Sequence, residues 1–435
     1  MKKNIFLKST IILTIGGLIT KVLGMIIKIV MSRLLGTTGI GLYMLILPTF
    51  TLFVTISSLG LPIAISKLVA EDTKNNKNLI FSLLPVSFII NIFIIMFILI
   101  SSYFIANNLI HEEKLNLAIK AMALVMPFTS LSSMLRSYFF GKQKMIPHVV
   151  SNIVEDITRL IIIIIGIPIF MRFGIEKTIF FLILSNIISE LSSIVVFIFF
   201  LPKHFHIYKK DLHPNKIYIK DALNIGIPNT LGRIIGSIGY FLEPIILSYV
   251  LLKVGYSNKF IIYEYGILSG YSIPLILLPS FFSGAISQAL LPIISKSYVN
   301  KNYKYTKKKI KQAIIFSLII AIPYTCILMI KPEVLLKFIY NTNEGISYIR
   351  FLAPICIFQY IQSPLSFSLD AMGKSKISMQ SILYGTIIRT SFLFILSFLK
   401  IGLWGLVIST SLNIIFVTIY QIKKVKDLLN KSSTY

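Results

Sequence analysis

Five basic residues stand inside stretches of sequence that are otherwise almost wholly apolar: Lys21, Lys28, Arg159, Arg233 and Arg389. An ammonium or guanidinium group near the middle of a membrane helix costs several kcal/mol if it faces hydrocarbon. Such groups therefore face a bundle interior or a watery cavity, and they mark transport paths. The chemistry open to them is attraction of anions, phosphate above all, in a medium of low dielectric. Lys21 and Lys28 are seven residues apart and share one helix face. The acids at comparable depth are Glu155, Glu190 and Glu243, too few to neutralise an electropositive interior. Glu155 and Glu243 are the expected charge partners. Glu155 lies four residues before Arg159, the spacing of an intrahelical ion pair. Two readings of Arg159 thus stand side by side, a cavity cation and a partner for Glu155. Lys28 can also be read as snorkelling to the headgroups, and Arg389 as lying closer to a loop than its span suggests. Lys21 and Arg233 lie about eleven residues inside their predicted helices, roughly 16 Å and beyond easy snorkelling.

Bond-making chemistry lacks candidates. Gly373-Lys374-Ser375 resembles the end of a phosphate loop, but Ser368 stands where the required glycine would be, and no strand precedes it. His111-Glu112-Glu113 opens like a zinc motif, yet Leu115 occupies the second histidine position. Asp156, Asp211, Asp221, Asp370 and Asp427 are scattered, where a metal-dependent transferase would cluster them. No enzymatic activity, metal or cofactor is expected. Cys326 and Cys356 both fall in apolar stretches and read as small buried hydrophobes.

The elements that must position the five cations are set by composition. With 55% hydrophobic and 14% charged residues among 435, the chain cannot hide its apolar surface in a water-soluble core. It reads as an all-α integral membrane protein of about twelve transmembrane helices. These are placed near 10–32, 42–66, 79–105, 117–139, 147–170, 178–201, 222–251, 262–292, 312–330, 346–370, 377–398 and 402–421. The N-terminal apolar run follows Lys2, Lys3 and Lys8 like a signal peptide, but it lacks a small-residue cleavage pattern and reads as an uncleaved first helix. Loop charge orients the bundle. With the N-terminus inside, 27 of the 43 basic residues fall on the cytoplasmic side, Arg136, Lys142 and Lys144 among them, and 11 on the other. Both termini are expected in the cytoplasm of a multi-pass cell-membrane protein. The net charge of +27 is then loop charge facing anionic lipids, and no nucleic acid partner is implied.

The chain also repeats itself. Leu47-Pro48, Gly60-Leu61-Pro62 and Ser66-Lys67 return as Leu278-Pro279, Leu291-Pro292 and Ser295-Lys296, and Gly141-Lys142 with Arg159 returns as Gly373-Lys374 with Arg389. A duplicated membrane bundle is a transporter architecture. It predicts two six-helix pseudo-symmetric lobes, 1–205 and 222–435, joined by a cytoplasmic linker at 206–221. Pro48, Pro62, Pro228, Pro274, Pro279 and Pro292 are expected to interrupt helices, with breaks at matching positions in the two halves. Gly16-Gly17, Gly24, Gly232, Gly236 and Gly239 are expected to permit close helix packing.

Leu7-Lys8-Ser9, Gly17-Leu18-Ile19-Thr20-Lys21-Val22-Leu23-Gly24, Ser32-Arg33-Leu34-Leu35-Gly36, Gly39-Ile40-Gly41-Leu42-Tyr43 and Leu59-Gly60-Leu61-Pro62-Ile63-Ala64-Ile65-Ser66-Lys67 resemble the opening of the stage V sporulation protein B and polysaccharide-exporter family. That family groups with MurJ lipid II flippases and MATE antiporters in one superfamily. The resemblance implies a flippase that carries a polyprenyl-diphosphate-linked saccharide, lipid II or a related cell-wall or polysaccharide precursor, between leaflets by alternating access. A lipid-linked oligosaccharide and membrane lipids would then be its partners. It also implies that Lys21 occupies a cavity arginine position. Lys28 replaces an acid of the relatives, and Ile27 replaces a neighbouring arginine. Relatives of this type carry two further helices that form a groove for the lipid tail. The sequence ends at Tyr435, so the tail is expected to be held differently, or the chain to be a minimal member. The competing reading is a MATE-like cation-coupled drug or small-molecule antiporter, which requires an acid-dominated cavity.

Overall fold

The computed structural model of the chain describes residues 2–71, 75–201 and 213–431, and no strand occurs among them. In hydrocarbon a backbone must satisfy its own N–H and C=O groups, and a helix does so within one segment. The helices are α1 (Lys2–Ser58), α2 (Leu61–Glu71), α3 (Asn76–Phe104), α4 (Asn116–Gly141), α5 (Met145–Met171), α6 (Ile175–Phe199), α7 (Lys216–Val254), α8 (Asn258–Tyr265), α9 (Ile273–Ile276), α10 (Leu278–Val299), α11 (Tyr303–Ile330), α12 (Pro332–Tyr340), α13 (Ile346–Ala371), α14 (Ser375–Ser397) and α15 (Trp404–Lys431).

By length and hydropathy alone, eight described stretches can cross a bilayer, or nine if Asn258–Ile276 and Leu278–Gln288, bent by 44°, form one span. About twelve were expected. One reason for the difference is that Ile15–Ser58 counts once although its 44 residues would reach about 66 Å, twice the hydrocarbon thickness. Non-helical backbone at Gly36 (φ 67°, ψ 178°) divides it. The second predicted span, 42–66, is itself interrupted where Leu59 and Gly60 take φ of 39° and 62° before α2. A side chain at Gly60 would put its Cβ 2.3 Å from the carbonyl oxygen of Gly226 in α7. Glycine is thus required there by both the turn and the close approach.

The expected matching of proline breaks is not what the structure shows. In the first half Pro48 sits inside α1, and the break comes later, beside Pro62. In the second half the break comes early, at Leu277 before Pro279, while residue 292 lies within α10. A proline removes one backbone hydrogen bond but does not by itself end a helix that its neighbours support.

The chain divides into two compact units, Met1–Leu35 with Leu42–Pro244, and Gly36–Gly41 with Ile245–Tyr435. The predicted linker at 206–221 is only partly described. Residues 206–212 lie outside the described residues, whereas 216–221 form the first turns of α7. The apolar pattern of α7 runs on to Val254, so the division falls inside that helix.

Each unit has its own apolar core, and the two cores repeat. In the first, Ile65, Leu79, Met134, Tyr138 and Phe197 are buried together. In the second, Ile294, Ile310, Leu365, Leu369 and Leu429 are buried together, each 229 to 232 residues further along. Side chains pointing the other way are apolar too: Phe88, Phe93 and Ile100 of α3 are exposed, as a lipid-facing surface requires. Cys356 is buried, but Cys326 is exposed on α11, contrary to expectation. A thiol is apolar enough to need no cover in lipid.

Candidate functional site

α4, α5 and α6 of the first unit pack along one another and bring three charged side chains together. Arg136 donates from Nη2 to Glu155 Oε2 at 2.7 Å, and Arg159 donates from Nη2 to Glu155 Oε1 at 3.0 Å. Both carboxylate oxygens are therefore taken, and Glu155 is only 8% exposed. Arg136 also reaches the hydroxyls of Ser132 at 3.5 Å and Ser193 at 3.4 Å. Burial of such ions is repaid only when the pairing is complete and the remaining donors find acceptors. Glu190 of α6 and Asp156 of α5 lie within electrostatic reach of both arginines.

Of the residues singled out from sequence, Arg159 and Glu155 are thus joined as an ion pair, one turn apart on α5. Loop charge counts Arg136 with the cytoplasmic loop residues. The structure places it within α4, five residues before Gly141, and makes it the second partner of Glu155. Its position inside the predicted span 117–139 was the available signal. Glu243 is buried in α7, 4% exposed. Arg389, in the second unit, donates from Nε to Thr410 Oγ1 of α15 at 3.2 Å.

Lys21 is exposed on α1 and Lys28 half-buried seven residues on. Arg233 is exposed near the middle of α7. The glycines beside these cations divide between packed and open positions. Gly16 is crowded, as expected, with a side-chain position 2.3 Å from Val149 of α5. At Gly17, Gly24 and Gly236 a Cβ would meet nothing within 4 Å among the described residues. Gly17, Lys21, Gly24 and Lys28 recur at helical spacing, so this face of α1 is both cationic and open. Gly236 stands three residues after Arg233 and gives α7 the same character.

The second unit carries a different polar cluster that the sequence did not disclose. Thr37 donates to Glu344 Oε2 at 2.8 Å, Tyr263 donates to Glu344 Oε1, and Tyr271 donates to Thr37 at 3.2 Å. Tyr348 donates to Glu264 at 2.6 Å. These partners are up to 307 residues apart in sequence, so no local pattern could reveal them. Among the described residues no group of three or more histidine, cysteine, aspartate or glutamate side chains is placed to hold a metal ion.

Residues 6–298 match the family described as Polysaccharide biosynthesis protein. The chain belongs to that family. Residues 267–395 also match the MatE family. Among curated relatives of this family member, Stage V sporulation protein B of Bacillus subtilis (strain 168) is 29% identical over 445 residues, covering 99% of this chain and 85% of that protein. Lipid II flippase MurJ of the same organism is 23% identical over 427 residues, covering 88% and 76%. The inward-facing structure of a multidrug resistance MATE family transporter of the MOP superfamily matches with a TM-score of 0.74 over 95% of this chain and 96% of that one, at 15% identity. The fold is that of MATE transporters, an all-α integral membrane architecture, and the resemblance drawn from Leu7–Lys67 is borne out.

Proposed function

We propose that the protein is a flippase that moves a polyprenyl-diphosphate-linked saccharide across the cytoplasmic membrane by alternating access, with Lys21, Lys28 and Arg233 attracting the diphosphate. The observation that carries this reading is the open, cationic face of α1, where Gly17 and Gly24 flank Lys21 and a Cβ at either would meet nothing within 4 Å among the described residues. A bulky anionic headgroup needs both room and positive charge, and ammonium groups in a medium of low dielectric supply the attraction. Family membership and the name of the MurJ relative support the class of cargo. Arg159 contributes less than its sequence position suggests, because Glu155 already neutralises part of its charge. Arg389 is assigned to the same substrate path from its place in the repeat. Loop charge supports cytoplasmic termini. A cation-coupled antiporter would need carboxylates available to cations, and the oxygens of Glu155 are held by two arginines.

The test is leaflet translocation of a fluorescent polyprenyl-diphosphate-linked saccharide in proteoliposomes. Lys21→Ala and Arg233→Ala are expected to lower the rate about tenfold or more at equal reconstitution. Cation efflux without lipid movement in the intact protein would replace this reading with the antiporter.

A further inference from the structure

We propose that the first unit holds a second anion site where α2, α4 and α5 meet, a pocket for the phosphate of a lipid. The cavity measures about 520 Å³, and its lining includes Ser66 and Lys67 of α2, Arg136 and Phe140 of α4, and His148 of α5. That volume suits a headgroup. The walls are brought together by Gly141, at which a Cβ would lie 2.7 Å from the Ser66 carbonyl oxygen and 2.8 Å from Val69. Any larger residue would pry α2 from α4.

The chemistry of the lining is one-sided. Lys67 is exposed at the pocket, and three donors and a full charge on a flexible stem suit a phosphate oxygen. Arg136 is fixed in place by Glu155, while its Nε is buried with no hydrogen-bond partner among the described residues. His148 Nδ1 is buried and equally unpartnered, and its ring is braced edge-on by Phe140 at 5.8 Å. Buried polar atoms are ordinarily satisfied, and each exception calls for an explanation. An anion in the pocket would supply acceptors to the two cationic side chains and to the histidine when it donates. Glu155, the carboxylate that holds Arg136, is also bonded by Arg159, so its charge is shared between two guanidinium groups.

The rim identifies the ligand as an amphiphile. Ile63 and Phe140, both in the lining, are exposed apolar residues, so the charged floor adjoins a surface that an acyl or prenyl chain can cover. The second unit supplies a built-in comparison. At the repeat-related positions of Lys67, Arg136 and His148 stand Lys296, Ser366 and Ser378, one cation in place of a cluster. Two sources can provide a lipid phosphate: the diphosphate of the proposed substrate, or an anionic phospholipid of the bilayer. Only the first depends on the flippase reading.

The experiment is a native mass spectrometric titration of the full-length protein with phosphatidylglycerol, undecaprenyl diphosphate and, as a zwitterionic reference, phosphatidylcholine. The variant is Lys67→Gln combined with His148→Gln, since Arg136 substitutions would also release Glu155. Lys296→Gln is the control, and unchanged thermal unfolding confirms that each variant is folded. The expected result is about tenfold weaker retention of the anionic lipid in the double variant, with Lys296→Gln unaffected. Weakening of undecaprenyl diphosphate alone assigns the pocket to the substrate, and weakening of both lipids assigns it to bilayer phospholipid. Anionic lipid held no tighter than phosphatidylcholine by the intact protein, or unchanged affinity in the double variant, overturns the site. Retention is read without translocation, so a protein that binds but does not flip refutes the flippase and leaves the pocket standing.

Discussion

The two halves of the chain carry the same apolar core and opposite polar chemistry. Ile65, Met134 and Phe197 have counterparts in Ile294, Leu365 and Leu429, buried in the same manner. The polar positions between them have diverged. Arg136, Ser151 and Glu190 of the first unit correspond, 230 or 231 residues on, to Ser366, Ser381 and Gln421. There Gln421 donates to Ser366 at 3.0 Å and to Ser381 at 2.8 Å, a wholly neutral set. Glu155 corresponds to Gly385, where a side chain would collide with Asn413 at 2.3 Å. The lesson is that the bilayer constrains the apolar core of a repeat, whereas its polar positions need only satisfy their own hydrogen bonds. A duplicated scaffold can therefore concentrate charge in one half.

The widest gap between the halves should appear on removing charge. Glu155→Gln leaves Arg136 and Arg159 without their counter-ion and is expected to lower unfolding stability by about 2–3 kcal/mol. That is below the usual cost of breaking a buried pair, because both arginines retain some access to solvent. Gln421→Leu, which removes two neutral hydrogen bonds, is expected to cost about 1 kcal/mol. Thermal unfolding in detergent measures both, and equal losses would break the comparison.

A smaller contrast separates glycines that turn or pack from glycines that open a face. Gly60→Ala forces a positive φ on alanine and drives Cβ into the Gly226 carbonyl, with an expected cost of about 2 kcal/mol. Gly24→Ala meets nothing and should raise stability by up to about 1 kcal/mol through helix propensity. It is nevertheless expected to slow translocation by crowding Lys21, a split that the stability and transport assays read separately. Comparable in size to the neutral pair, Thr37→Val removes the hydrogen bond to Glu344 and the one accepted from Tyr271 and should cost the second unit about 1–2 kcal/mol. A loss as large as that of Glu155→Gln would mean that the hydroxyl cluster, too, holds a buried charge.

The residues that were legible in advance are those whose signal is local. Glu155 and Arg159 pair because they are one turn apart on a helix, and a four-residue spacing is visible in any sequence. Lys21 and Arg233 stood out because a cation deep in an apolar run is rare. The pairing of Arg136 is not legible locally, because it stands close to the loop lysines Lys142 and Lys144 and its partner Glu155 lies on another helix. The openness of Gly17 and Gly24 is not legible either, since glycine serves close packing and open space equally well. The proline landmarks repeat faithfully, yet the breaks fall beside Pro62 in one half and Pro279 in the other.

By itself the sequence determined the solvent in which this protein folds, its helical class and its duplication, because hydrocarbon length and apolar content are additive along the chain. It also determined which cations are out of place. Tertiary structure alone decided which charged side chains meet across helices, as Arg136 and Glu155 do. That decision rests on the approach of separate helices within a few ångströms, such as α4 to α5 at Glu155 or α2 to α4 at Gly141. Contact distances of that kind depend on side chains far apart in sequence, and electrostatic energy changes steeply over them.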